Sequence, residues 1–155
     1  RISSLTPWRY KSRHPQIATA LSRQDTWDSR QVALDDLKNK HMFARFSPEA
    51  LQDFADHALV DNGDGSCRLL FRKDWEARIY GEPPQFWKAL KQVPHPILGI
   101  KGKNSNAFLE RQWQKWKKMR PADTHHYVDE ATHLLPLERP EETAAIVNDW
   151  LKTVL

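Results

Sequence analysis

Hydrophobic positions in residues 25–92 recur at helical spacing in short bursts separated by turn signals. Asp28-Ser29 is an N-cap, and Val32, Ala33 and Leu37 fall on one side of a helix ending near Lys40. Ser47-Pro48-Glu49 starts another helix, with serine at the cap and proline in the first helical position. Leu51, Phe54, Ala55 and Ala58 give it an i, i+3, i+4, i+7 stripe. Asp61 to Ser66 is a turn, Cys67 to Phe71 a short strand or extended lead, and Lys73 to Tyr80 a helix. Gly81-Glu82-Pro83-Pro84 breaks that helix, and Gln85 to Lys91 forms one or two more turns. Residues 1–24 are polar and basic, an irregular arm or linker with a short helix over Pro15–Ser22. The pattern up to residue 92 therefore predicts short helices, little strand and no strong core of their own.

The texture changes at Pro94. Pro96 to Lys101 is a brief apolar run after prolines, as a buried parallel strand requires. Gly102 to Asn106 is a turn, and residues 107–119 form a helix with Leu109, Trp113 and Trp116 on one stripe. His125 to Val128 reads as a second strand, Asp129 to His133 as a loop, and Pro140 opens a last helix with Glu141 and Glu142 in its first turn. Ala144, Ile146, Val147, Trp150 and Leu151 suit packing of that helix on a sheet. Strand, helix, strand, helix is a βαβα order, hence parallel pairing with a right-handed crossover. Two strands alone do not make a stable open sheet, so this pattern calls for a partner sheet.

Composition narrows the class. An apolar share of 39% with 28% charged residues is globular rather than disordered. The lone Cys67 excludes an internal disulfide framework and fits a reducing compartment. No stretch is long enough to cross a bilayer, and Arg1 to Arg13 lacks the apolar segment of a signal peptide, so the expected address is the cytoplasm, with no membrane partner. The net charge of +4 raises the question of nucleic acid. Seven basic residues between Lys101 and Arg120 face one acid, Glu110, with Trp113 and Trp116 among them. An amphipathic helix with lysines on its wet face accounts for that run, and no nucleic-acid partner is expected. Seven irregularly spaced tryptophans argue against a repeat protein and imply large apolar surfaces to fill. Asp61 to Ser66 fails as a calcium loop, because the first and twelfth positions would be Val60 and Phe71. His125 and His126 lack a third ligand at useful spacing, so neither a metal nor a cofactor is expected.

Pro96-Ile97-Leu98-Gly99-Ile100-Lys101-Gly102-Lys103-Asn104-Ser105-Asn106, followed by His133-Leu134-Leu135-Pro136-Leu137-Glu138-Arg139-Pro140, resembles the end of the α/β-hydrolase fold. The resemblance implies an α/β chain: the C-terminal part of an α/β-hydrolase sheet, residues 93–155, with a helical cap over residues 1–92. Trp75 to Tyr80 looks like a late cap helix of that family. His133 takes the place of the triad histidine, the general base, and Asn106 the place of the triad acid. An amide can orient an imidazole but cannot offset its positive charge as a carboxylate does. Either the acid has moved to the end of the preceding strand, as in some dehalogenase-like relatives, or activity has been lost, or the register is displaced. No carboxylate lies between Gly102 and Phe108.

A serine or aspartate nucleophile needs such a histidine within reach, and in this fold it sits in an elbow, Gly-x-Ser-x-Gly in the esterases. That motif is absent from this chain. The expected partner is an N-terminal half of the same hydrolase as a second polypeptide, without which the chain is not expected to act. A small carboxylic ester is the expected substrate. The alternatives are an epoxide hydrolase or haloalkane dehalogenase with an aspartate nucleophile, and a non-catalytic binding protein of the same fold. Trp27, Phe43, Phe46 and Trp75, with Phe54, either line an acyl or aromatic pocket under the cap or hold the cap to the core. Glu138, beside Pro140, reads as an organiser of the helix entry rather than an acid–base group.

Overall fold

The structure is a computed structural model and describes residues 14–82 and 85–155; the beginning of the expected polar arm lies outside them. The chain forms two compact units, Arg1–Lys40 with Gln52–Gln85, and His41–Leu51 with Phe86–Leu155.

In the first unit, α1 (Pro15–Ser22) packs against α4 (Lys73–Gly81) through buried Ile17, Ala20 and Ala77. Ion pairs Arg23–Glu76 (2.5 Å) and Lys73–Asp25 (3.1 Å) flank the contact. Between them in sequence lie α2 (Arg30–Lys38), the end of α3 (Pro48–His57) and three short strands, β1 (Thr26–Trp27), β2 (Leu59–Asp61) and β3 (Cys67–Leu69). The strands form an antiparallel sheet in the order β1-β3-β2. Trp27 pairs with Cys67 and Leu59 with Leu69, so four buried side chains share one face. This sheet corrects the expectation of little strand: two- and three-residue strands are too short to show a period of two.

Ser29 caps α2 by accepting from the Val32 N–H, and Ser47 caps α3 by accepting from the Ala50 N–H, as their positions predict. The inward stripe of α2 is Ala33, Leu34 and Leu37, whereas Val32 is 47% exposed. Val32 precedes Leu34 by two residues, about 200° around the helix, and so cannot share its face. Arg30 donates to the carbonyls of Ala55, Asp56 and Leu59 and pairs with Asp61, satisfying acceptors at the C-terminal end of α3.

In the second unit, α5 (Phe86–Gln92) leads to β4 (Leu98–Gly102), α6 (Glu110–Met119), β5 (Thr124–Val128), α7 (Leu135–Glu138) and α8 (Pro140–Val154). β4 and β5 pair in parallel, Leu98 with Thr124 through to Gly102 with Val128. Side chains alternate across this ladder. On one face, fully buried Trp113 of α6 lies against Gly99, His125 and Tyr127, and a β-carbon on Gly99 would come within 3.0 Å of the rings of Trp113 and Trp116. On the other, Val128, Ala131 and Leu135 pack with Ile100 and with Ile146 of α8. Arg120 closes α6 onto the lead into β4: it pairs with buried Asp123 at 2.7 Å and donates to the carbonyls of Val93 and His95. Asp123 also accepts from the indole of Trp116, and these bonds, Arg120 first, outweigh the burial that opposes ionisation and hold its carboxyl below the ordinary value.

Beyond β4 the backbone makes a close approach. A β-carbon on Gly102 would sit 2.1 Å from the Thr132 carbonyl oxygen and 2.4 Å from that of Ala131. Both obstacles are backbone, so neither can swing aside. Gly102→Ala is therefore expected to destabilise the protein by about 1–3 kcal/mol or more, read as a fall of several degrees in the thermal midpoint. An unchanged midpoint would contradict this packing.

Candidate functional site around His133

His133 stands in the loop between β5 and α7, and its side chain is exposed. The turn after β4 lies alongside this loop. Lys103 N–H donates to the Val128 carbonyl at 3.0 Å, and Asn104 N–H donates to the Ala131 carbonyl at 2.9 Å, extending the strand pairing past the end of the ladder. Ser105 tightens the same turn, its N–H donating to the Gly102 carbonyl and its hydroxyl accepting from the Phe108 N–H. The sequence thus brings the Asn106 turn and the His133 loop to the same end of the sheet. Asn106 is exposed, and no hydrogen bond joins it to His133 among the described residues. Nearby, Lys103, Asn104, Asp129, Glu130, Arg139 and Glu142 line a shallow depression.

The loop's anchor is Glu138. Its side chain is 3% exposed. It accepts from the Thr132 N–H at 2.8 Å and from the Thr132 hydroxyl, while that hydroxyl accepts from the Leu134 N–H at 3.3 Å. Arg45 Nε lies 3.4 Å from the same carboxylate, and its guanidinium donates to the Glu130 carbonyl. Burial opposes ionisation of Glu138, but the bonds from Thr132 and Arg45 outweigh it and hold the carboxyl below the ordinary value. Glu130 itself adopts φ of 53°, the left-handed region that non-glycine residues seldom occupy, so the loop turns sharply just before His133.

Other nucleophile candidates are engaged elsewhere. Ser22 donates to the Thr19 carbonyl, Ser29 and Ser47 cap helices, Ser66 donates to Asp64, and Ser105 holds the β4 turn. Cys67 is buried beside Trp27 in the first unit's sheet, and burial pushes its thiol up, away from the reactive thiolate. Among the described residues no group of three His, Cys, Asp or Glu could hold a metal ion.

The four aromatic candidates separate. Trp27 is buried in the first unit, where its indole donates to Asp36 at 2.8 Å and the Lys40 ammonium sits over its ring. Trp75, in the same unit, is 59% exposed. Phe43 and Phe46 belong to the second unit and pack on each other with ring centroids 5.0 Å apart. The sequence did not reveal Arg45, Thr132 or the role of Arg120. Arg45 lies some ninety positions from its partner, and only the spacing of Glu138 from Pro140 pointed to an organising acid.

No protein-family model and no curated protein matches the sequence. Solved structures do match the fold. The chain is similar to E-2-(acetamidomethylene)succinate hydrolase, with a TM-score of 0.77 and 18% identity over 96% of this chain and 55% of that one. It is similar to the peroxisomal α/β-hydrolase Lpx1 of Saccharomyces cerevisiae, with a TM-score of 0.72 and 15% identity over 94% of this chain and 39% of that one. An esterase of Mycobacterium tuberculosis gives a TM-score of 0.67 at 16% identity, covering 88% and 47% respectively. The chain spans about half the length of the proteins it resembles.

The anchoring carboxylate gives a pH signature. Glu138 sits below the ordinary value of 4.5, so its contribution to stability is complete above that value and disappears as pH falls through its lowered one. Glu138→Gln is expected to cost about 1–3 kcal/mol near neutral pH. The gap between wild type and variant should narrow as pH falls from about 5 towards 3 in denaturant titrations. A gap independent of pH would mean that Glu138 is not ionised in the fold.

Proposed function

The chain carries part of the α/β-hydrolase fold, consistent with its C-terminal half, and we propose that it supplies the general base, His133, to a hydrolase of carboxylic esters. The observation that supports this most is the placement of His133 directly after the second strand of a parallel β4–α6–β5 unit, on a loop braced against the turn after β4. In this reading residues 1–92 form the cap, residues 93–155 the end of the catalytic core, and a preceding segment holds the nucleophile and the oxyanion hole. The edge of β4 opposite β5 has no partner strand among the described residues, which leaves room for the rest of the sheet.

The chemistry follows from the exposed imidazole. A serine hydroxyl from the preceding segment gives its proton to His133 as its oxygen attacks the ester carbonyl. The imidazolium then protonates the departing alcohol, and a water activated by the same ring releases the acid. The absence of a carboxylate at position 106 favours a second reading. There the acid sits at the end of the preceding strand, as in dehalogenase-like enzymes, and an aspartate nucleophile forms the covalent ester that His133-activated water hydrolyses.

These readings separate in the protein together with its preceding segment. His133→Ala is expected to lower the turnover of a p-nitrophenyl ester by on the order of 10⁴-fold or more. Denaturing mass spectrometry after treatment with a fluorophosphonate should find the adduct on a serine outside this chain. Isotopic oxygen from labelled water appearing in an aspartate would instead select the second reading. Undiminished turnover in the His133→Ala variant would remove the triad assignment and leave a binding protein.

A further inference from the structure

Assuming that His133 is the general base, we propose that Arg45, Thr132 and Glu138 are positioning residues that set the height and direction of its imidazole. The case begins with what His133 lacks. Its ring is exposed and has no hydrogen-bond partner among the described residues, so in this chain only its own backbone directs it. That backbone is tied on both sides to one group. The residue before it, Thr132, gives both its N–H and its hydroxyl to the Glu138 carboxylate, and the residue after it, Leu134, gives its N–H to the Thr132 oxygen.

The carboxylate in turn is fixed from the far end of the chain. Arg45 reaches Glu138 with Nε and the Glu130 carbonyl with its terminal nitrogen, bracing the loop ahead of His133. Next to it, Ser47 N–H donates to the Leu137 carbonyl at 2.9 Å, so the 41–51 segment is stitched to α7 by a second, independent bond. A buried carboxylate with three charge-assisted or hydroxyl donors is stiff, and a displacement of a general base by a fraction of an ångström is enough to slow proton transfer. Glu138 never approaches a reacting atom in this arrangement; it acts through Thr132. The segment that carries Arg45 thus adjusts the histidine from a distance, and changes there should appear in catalysis rather than in substrate binding.

The test uses the protein with its preceding segment and four variants beside His133→Ala: Glu138→Gln, Arg45→Ala, Thr132→Val and Thr132→Ser. Turnover of a p-nitrophenyl ester is expected to fall about 10- to 100-fold in kcat for the first three, with KM changed less than about threefold. The acidic limb of the kcat/KM profile, which reports the free imidazole, should move by about half a pH unit or more, while Thr132→Ser retains near-normal values. If Glu138→Gln fails to fold, Arg45→Ala and the two Thr132 variants carry the test, since both side chains are at least partly exposed. Folded variants that melt lower yet keep kcat and the pH profile would overturn the positioning role while leaving His133 as base. If His133→Ala itself retains turnover, it is the underlying assignment that fails, and the two failures are distinct.

Discussion

The backbone of the turn after β4 touches the backbone of the loop after β5, and the second unit is arranged around that contact. Gly102 has no room for a side chain because the Thr132 and Ala131 carbonyls stand where a β-carbon would be. Asn104 and Lys103 continue the ladder with two further hydrogen bonds. The parallel pair is thereby locked in register at the end where a catalytic loop would emerge, and a shift of one residue would set backbone against backbone. Parallel ladders gain slightly less per residue than antiparallel ones, so a steric lock of this kind matters more in a pair only five residues long.

Two polar anchors hold the rest of the unit to this lock, and both are buried carboxylates served by an arginine. Asp123 binds Arg120 and the indole of Trp116, fixing the end of α6 and the approach to β4. Glu138 binds Thr132 and Arg45, fixing the His133 loop and drawing in the 41–51 segment. Each carboxyl is held below its ordinary value although burial pushes the other way, the mark of groups whose hydrogen bonds exceed their desolvation cost. The apolar layers between them are unequal. Trp113 is fully enclosed by α6 and the strands, whereas Ile146, Val147, Trp150 and Leu151 of α8 are only half-buried.

That inequality agrees with the span of the resemblance. The chain covers roughly half of each matched hydrolase, and a two-stranded sheet with a half-covered helix is what half of such a sheet would expose. The candidate chemistry divides along the same line. A histidine loop is fully built here, while every serine among the described residues is occupied with a local bond and the lone thiol is buried.

Local signals determined much of this protein. The caps at Ser29 and Ser47, the proline-led start of α8 and the βαβα order of the last third depend on interactions within a few residues, and the sequence displays them directly. His133 and the Asn106 turn were legible because a strand's end and the loop beyond it are marked by prolines, glycines and a change of period. Tertiary structure alone decided the rest. β1 and β2 exist only because β3 pairs with both, and two or three residues carry no periodicity. Val32 and Trp27 show that a side chain's role follows from what lies across from it, since the first faces away from the core and the second is spent on Asp36. Arg45 meets Glu138 across most of the chain, and no spacing rule connects residues whose contact depends on the fold itself.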